Sequence, residues 1–329
     1  MSPWGGRHER NRERETMAGA KKKKKKGSAK APSSSSFGRV AFAISLVACI
    51  VVVSGLLLIK YLPPRMVPQK HAAVLKSDLA TIPPQYEVFE KHAVPHRKDR
   101  PVVPPAPHKP TLVLIIDDIG YSEPAAYDLM ALDPNITLSI LPGSPHGKDI
   151  AGVARKKGLE LMLHQPMEPN EYPRVDPGPG ALFEAMDPDQ LLQTLEANLT
   201  AYPGVKGVNN HMGSRLTSLS PQMYQVMTLL KQKGLYFIDS RTSAKTVSRS
   251  AARLMQVPFA ERDVFLDHVQ SREAVVRQVK KMLAIAEKHG SAVGIGHPHK
   301  VTCTVLAEMM PEIHRRVTLV RPSALVAQP

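Results

Sequence analysis

Three patterns of apolar and polar positions follow one another along the chain. Val40 to Ile59 reads VAFAISLVACIVVVSGLLLI, an apolar run without a charged residue. At helical rise such a run crosses a hydrocarbon layer about 30 Å thick, so the pattern predicts a single transmembrane helix over 40–60. From 61 to 110 prolines and charges take over, among them the pairs Pro63-Pro64, Pro83-Pro84 and Pro104-Pro105, with no sustained apolar period. That composition predicts a semi-extended tether, able to reach on the order of 100 Å where it is polyproline-like. From 111 to 326 short apolar runs alternate with amphipathic stretches, which is the pattern of a folded domain.

Within this domain the segments TLVLIID (Thr111 to Asp117), ITLSILP (Ile136 to Pro142), LELMLH (Leu159 to His164), VKGVNNH (Val205 to His211), LYFIDS (Leu235 to Ser240), DVFLD (Asp263 to Asp267), AVGIGH (Ala292 to His297) and VTLVRP (Val317 to Pro322) are apolar enough to be parallel strands buried on both faces. The stretches between them carry helix punctuation. Asp187-Pro188 and Ser220-Pro221 each read as an N-cap followed by a first-turn proline, where the missing N–H is harmless. Ser271 opens a helix whose Ala274, Val275, Val279, Met282, Leu283 and Ala286 form one face before Gly290 ends it, and Gly158 and Gly234 end two others. About seven β-α units indicate one α/β domain on a parallel sheet, either a closed or distorted barrel or an open doubly wound sheet.

Charge matters here through its location. The net charge is +15, but residues 1–39 hold twelve Lys and Arg against three Glu, so the tail carries +9 and the rest of the chain only +6. A basic face for nucleic acid is therefore not expected. The tail is instead the solvated cytoplasmic flank of the apolar segment, and the positive-inside rule sends the remainder outward. The apolar run exceeds a signal-peptide core and no small-x-small cleavage site follows it, so an uncleaved anchor in the inner membrane, with the domain in the periplasm or extracytoplasmic space, is expected. Cys49 and Cys303 are the two cysteines and are not expected to pair, leaving the domain to rely on its own hydrophobic core.

In either α/β architecture a site gathers beyond the carboxyl ends of the strands. Asp117 and Asp118 end the first predicted strand, His164 the third, Asn209, Asn210 and His211 the fourth, Asp239 the fifth and His297, with His299, the seventh. Side chains alternate along a strand, so the adjacent carboxylates are expected to point in different directions, one to ligate a metal and the other to abstract a proton. A carboxylate and two imidazoles leave open positions on a zinc-like ion, as a hydrolytic metal requires. The candidate ligands are Asp118, His164 and His211, with Asp117 as base and Asn210 and Asp239 as substrate contacts. Tyr172 and Phe183, in the long segment HQPMEPNEYPRVDPGPGALF, either face a sugar or tie down the loop.

The segments LVLIIDDIGYS, LMLHQPMEP, GVNNHMGSRLT, LYFIDSRTS and AVGIGHPH, in this order, resemble the divergent polysaccharide deacetylase family, a distant branch of the metal-dependent carbohydrate deacetylases. The resemblance spans about 111 to 326. It implies a deformed (β/α) barrel of about seven strands and hydrolysis of an acetyl group from an amino sugar or sugar hydroxyl. It also implies that the first aspartate of the pair, Asp117, is the base and the second, Asp118, a metal ligand completed by two histidines. The wider superfamily keeps its two metal histidines in an H-x-x-x-H arrangement, whereas His164 and His211 stand 47 positions apart.

Metal-assisted acyl transfer to water follows as the expected reaction, with His297 or His299 protonating the departing group. Zn2+ is the expected metal, although histidine and carboxylate ligands also suit cobalt, nickel or iron. A polysaccharide or peptidoglycan-type glycan is the expected partner. The alternative is a catalytically silent module that uses the same groove to bind glycan or an envelope protein. Nucleotide chemistry is unsupported, because no glycine-rich phosphate loop follows a strand.

Overall fold

A computed structural model describes residues 109–326. The basic tail, the apolar segment at 40–60 and nearly all of the tether at 61–110 lie outside the described residues. Among the described residues, no helix is long and apolar enough to cross a membrane.

The chain alternates strands and helices: β1 (Thr111–Ile119), α1 (Glu123–Leu132), β2 (Thr137–Ile140), α2 (Gly147–Lys156), β3 (Leu161–Met167), α3 (Pro188–Ala201), β4 (Gly207–Met212), α4 (Ser220–Lys233), β5 (Tyr236–Asp239), α5 (Ser248–Met255), β6 (Phe259–Glu261), β7 (Val264–Phe265), α6 (Arg272–His289), β8 (Ser291–Gly296), α7 (Lys300–Arg316), β9 (Thr318–Leu319) and α8 (Pro322–Leu325). Local chemistry sets the helix ends. The side chains of Ser122, Asp187 and Ser271 accept hydrogen bonds from the amides of Ala125, Gln190 and Ala274, while Gly234 and Gly290 close α4 and α6 in the left-handed conformation. Ser220 differs from expectation. It is the first residue of α4, and Leu219 occupies the cap position without a side-chain bond.

All strand pairings are parallel, in the order β6-β5-β4-β3-β2-β1-β8-β7, with β9 added beside the start of β1. The two ends of this path, β6 and β7, are consecutive in the chain yet not paired with each other, so the sheet curls into an open half-barrel. Among the described residues nine strands form where about seven were expected. Each of the eight apolar runs contributes one, and the addition is β6, whose three residues are too few to show a period.

Strands β1, β3, β5 and β8 each serve two cores. Leu112, Leu114 and Ile116 of β1 join the large cluster beneath the helices, while Val113 and Ile115 join Met162, Tyr236, Ile238, Val293 and Ile295 inside the half-barrel. The inner cluster is closed at the amino end of the strands by Tyr236, whose hydroxyl donates to Glu160 Oε1 at 2.8 Å; the amide of Ser323 donates to the same oxygen, and the Ser323 hydroxyl reaches Oε2. Space for the Tyr236 ring comes from Gly207 on the neighbouring strand, where a Cβ would sit 2.1 Å from the ring. Gly207→Ala is expected to cost about 1–3 kcal/mol or more through overpacking. Gly152→Ala, in open space on α2, is expected to stabilise by about 0.5–1 kcal/mol. Urea denaturation of both variants checks the contrast.

Candidate active site

The alternation that builds the two cores also selects which strand-end side chains meet. Continuing the inner rows carries Asp117 beyond Ile115, His164 beyond Met162, Ser240 beyond Ile238 and His297 beyond Ile295 toward the same mouth. Strands β3 and β4 pair His164 with Asn209, so His211, two residues further on, returns to the same face. Wide separation in sequence thereby becomes contact: His211 Nδ1 lies 3.2 Å from His164 Nε2.

Strict alternation would turn Asp118 toward the helices. It does not, because Asp118 adopts the left-handed conformation at φ +55 and the register with β2 shifts between Ile116 and Ile119. Both carboxylates therefore reach the inner mouth, contrary to the expectation that they diverge. Asp118 Oδ1 stands 3.2 Å from His164 Nε2 and 3.0 Å from His211 Nδ1, while Asp117 Oδ2 is 3.6 Å from His164 Nε2. A non-glycine residue held in this region costs free energy, on the order of 1–3 kcal/mol, and persists where the surroundings impose it.

The residues fit a divalent ion. Both oxygens of Asp118 are buried and accept no hydrogen bond among the described residues. Asp118 Oδ1, His164 Nε2 and His211 Nδ1 form a triangle with edges of 3.0, 3.2 and 3.2 Å. Donors at about 2.0–2.1 Å from a tetrahedral ion would be spaced by about 3.3 Å. Burial opposes ionisation of Asp118, yet His211, His164 and His297 outweigh it and hold the carboxyl well below its usual range. Asp117 moves the other way: burial raises it, and His164, His297 and the Asn209 amide only partly compensate. Adjacent carboxyls are thus separated into a firmly ionised ligand type and a more basic one.

Opposite this triangle, His297 Nδ1 is 2.9 Å from Asp267 Oδ1, and its Nε2 is 3.7 Å from Asp118 Oδ2. Asp267 is fixed in turn, since Oδ2 accepts from the His297 amide at 2.6 Å and from Thr302 Oγ1 at 2.7 Å. Burial would lower the His297 pKa, but Asp267, with Asp118 and Asp117 beyond it, lifts it to about 9. His299 is half-buried, meets Gln270 at 3.0 Å and has its pKa lowered by burial. Of the two histidines it is therefore His297 whose ring nitrogen faces Asp118.

The remaining candidates divide. Asn210 lines the cleft, but its amide braces the loops, accepting from the Ser240 amide at 2.9 Å and donating to the Met212 carbonyl at 2.7 Å. Asp239 does not reach the cleft. It follows Ile238 in the strand and so faces the helices, where its carboxylate accepts from Thr246 Oγ1 and the Arg241 amide, each at 2.7 Å. Tyr172 and Phe183 pack on each other at 4.8 Å and tie down their loop; neither lines the cleft. Asp267 was not singled out from the sequence, and Asn209 was placed at the rim there without a role. Asp267 ends DVFLD much as Asp117 ends TLVLIID, and its place on the inner row with Phe265 is the signal that marks it. The cleft itself measures about 280 Å³, with Met212, Thr242 and Phe265 in its walls and Phe265 stacked 5.1 Å from His297.

This arrangement sits in a segment with known relatives. The model of the family described as divergent polysaccharide deacetylase matches residues 114–326. The chain belongs to the divergent polysaccharide deacetylase family. Its match to the uncharacterized protein YibQ of Escherichia coli K12 is 34% identical over 218 residues, covering 66% of this chain and 68% of that protein. An uncharacterized protein of Haemophilus influenzae is 32% identical over 209 residues, covering 64% and 74% respectively. The crystal structure of an uncharacterized protein from Agrobacterium tumefaciens C58 superposes with a TM-score of 0.63 at 24% identity, covering 69% of this chain and 92% of that one. The half-barrel is thus a carbohydrate deacetylase-like fold, and the divergent polysaccharide deacetylase match encloses every residue of the mouth.

The Asp267–His297 pair gives the domain a pH signature. The folded pKa of His297 lies above its unfolded value of about 6.5, so its contribution is fully present below that pH and is lost as pH rises through about 9. The shift corresponds to a contribution on the order of 3 kcal/mol. In denaturation with chelator present, the stability gap between the full chain and its Asp267→Asn variant is expected to narrow between about pH 6 and pH 10. A gap independent of pH would show that His297 is not held protonated by Asp267.

Proposed function

We propose that this protein is a membrane-anchored, metal-dependent hydrolase that removes acetyl groups from a cell-envelope polysaccharide outside the cytoplasm. The observation that carries the reading is the convergence of a carboxylate and two imidazoles beside a second, more basic carboxylate and a buried, protonated histidine. Family membership supports the substrate class. Asp118, His164 and His211 would hold the ion, with Zn2+ the best match to the donor set. Such an ion would supply Lewis acidity, favouring ionisation of water and offsetting negative charge that develops on the acetyl oxygen.

The chain's own groups move the protons. Asp117 accepts a proton from the water as its oxygen attacks the acetyl carbonyl, and its buried position keeps it more basic than an exposed aspartate. His297, protonated and oriented by Asp267, donates to the nitrogen or oxygen that leaves as the acyl bond breaks. The products are acetate and the free amine or hydroxyl of the sugar. Met212 and Phe265 give the cleft apolar walls on which a sugar face or an acetyl methyl can rest.

The apolar segment at 40–60 would anchor the protein in the inner membrane as a single pass, with the basic tail of 1–39 inside and the proline-rich 61–110 spanning toward the envelope. Deleting residues 1–60 is expected to move the protein from the membrane fraction to the soluble one, and continued sedimentation with membranes would refute the anchor.

Acetate release from acetylated glycan oligomers, with and without chelator, tests the activity. Asp117→Asn is expected to lose roughly 10²–10⁴-fold in rate while retaining metal, whereas Asp118→Asn is expected to lose the metal itself. Full activity in Asp117→Asn would contradict the assignment. Retention on insoluble glycan with no acetate release by the unaltered protein would favour a silent binding module.

A further inference from the structure

Asn209 occupies the centre of the inner row and is completely buried. Its Nδ2 donates to Asp117 Oδ1 at 2.8 Å and lies 3.0 Å from Oδ2 and 3.3 Å from Ser240 Oγ. Its Oδ1 receives the Ser139 hydroxyl at 2.5 Å and faces His164 Nδ1 at 3.0 Å. The amide nitrogen can only donate and faces both oxygens of Asp117, so this end of the side chain is turned toward that carboxyl group. The Asn209 oxygen is then committed to Ser139 and His164, and an amide oxygen can only accept. His164 must therefore carry a proton on Nδ1, which leaves the lone pair of a neutral ring on Nε2, the nitrogen facing Asp118 and His211.

We infer that Asn209 is a positioning residue that fixes the tautomer of His164 for metal ligation and, through the other end of the same amide, holds the carboxylate of Asp117 in place. The inference rests on the proposed metal-dependent reading and adds to it a residue that orders the ligand and the base together. One side chain sets both because the two ends of an amide are chemically opposite: the acceptor end requires a donor on His164 and the donor end requires an acceptor on Asp117. Neither a carboxylate nor an apolar side chain at this position satisfies both.

Zn2+ affinity of the full chain, measured by calorimetry, distinguishes the two ends without using activity. Asn209→Leu removes both and is expected to weaken zinc binding by roughly 10–100-fold, the usual range for loss of a partner that orients a metal histidine. Asn209→Asp keeps an acceptor for His164 and is expected to restore affinity to within about threefold of the unaltered protein, yet to remain defective in acetate release because Asp117 has lost its neutral donor. Unchanged affinity in Asn209→Leu, or equal weakening in both variants, would overturn the inference. Where Asn209→Leu does not fold, nitrogen-15 imidazole spectra of the unaltered chain at alkaline pH decide directly: the inference requires the His164 proton on Nδ1, and a proton on Nε2 overturns it. Failure of the unaltered chain to bind zinc would defeat the metal reading, while the tautomer spectrum would still judge Asn209 separately.

Discussion

A parallel strand covered on both faces must divide its side chains between two interiors, and that division governs the site. In β1 the helix-facing set is Leu112, Leu114 and Ile116, and the barrel-facing set is Val113 and Ile115. Asp117 inherits the barrel-facing direction without any distortion. Asp118 reaches the same mouth only through its left-handed backbone and the local break in register. The site thus depends on one departure from a periodicity kept by the rest of the strand, and it lies at a position where an aspartate, tolerant of this region, is less costly than most residues.

Charge buried at this mouth has to be organised, because an isolated ion in a low-dielectric interior is strongly disfavoured. Four devices accomplish it here. Asp118 faces two imidazoles, Asp117 accepts from the Asn209 amide, His297 is paired with Asp267, and Asp267 is itself held by Thr302 and a backbone amide. The result is a graded set of groups: an ionised carboxylate, a more basic carboxylate and a retained imidazolium. Hydrolytic chemistry needs such a spread, and an inert core would be better served by apolar residues.

Much of this is legible in the sequence alone. Apolar runs too uniform for a half-exposed strand signalled the parallel sheet, and the buried face of α6 coincides with the six residues its spacing implied. Polar residues at strand ends marked the mouth. What stayed hidden followed from the same uniformity, because a run buried on both sides does not reveal which of its residues face inward. Asp239 therefore looked like a site residue although Ile238, its neighbour, holds the inner position. Asp267 looked like the end of a strand although it orients His297. The close approach of His164 and His211 required the β3–β4 register, which pairs His164 with Asn209 and is set by the whole sheet.

Asp118, His164 and His211 are proposed to share one ion at the mouth of the half-barrel. X-ray absorption at the zinc edge of the full chain, after loading and removal of excess metal, tests it most directly. One ion per chain is expected, with two imidazole nitrogens and carboxylate oxygen in its first shell. A chain that retains no ion, or an ion whose shell lacks imidazole, would contradict it.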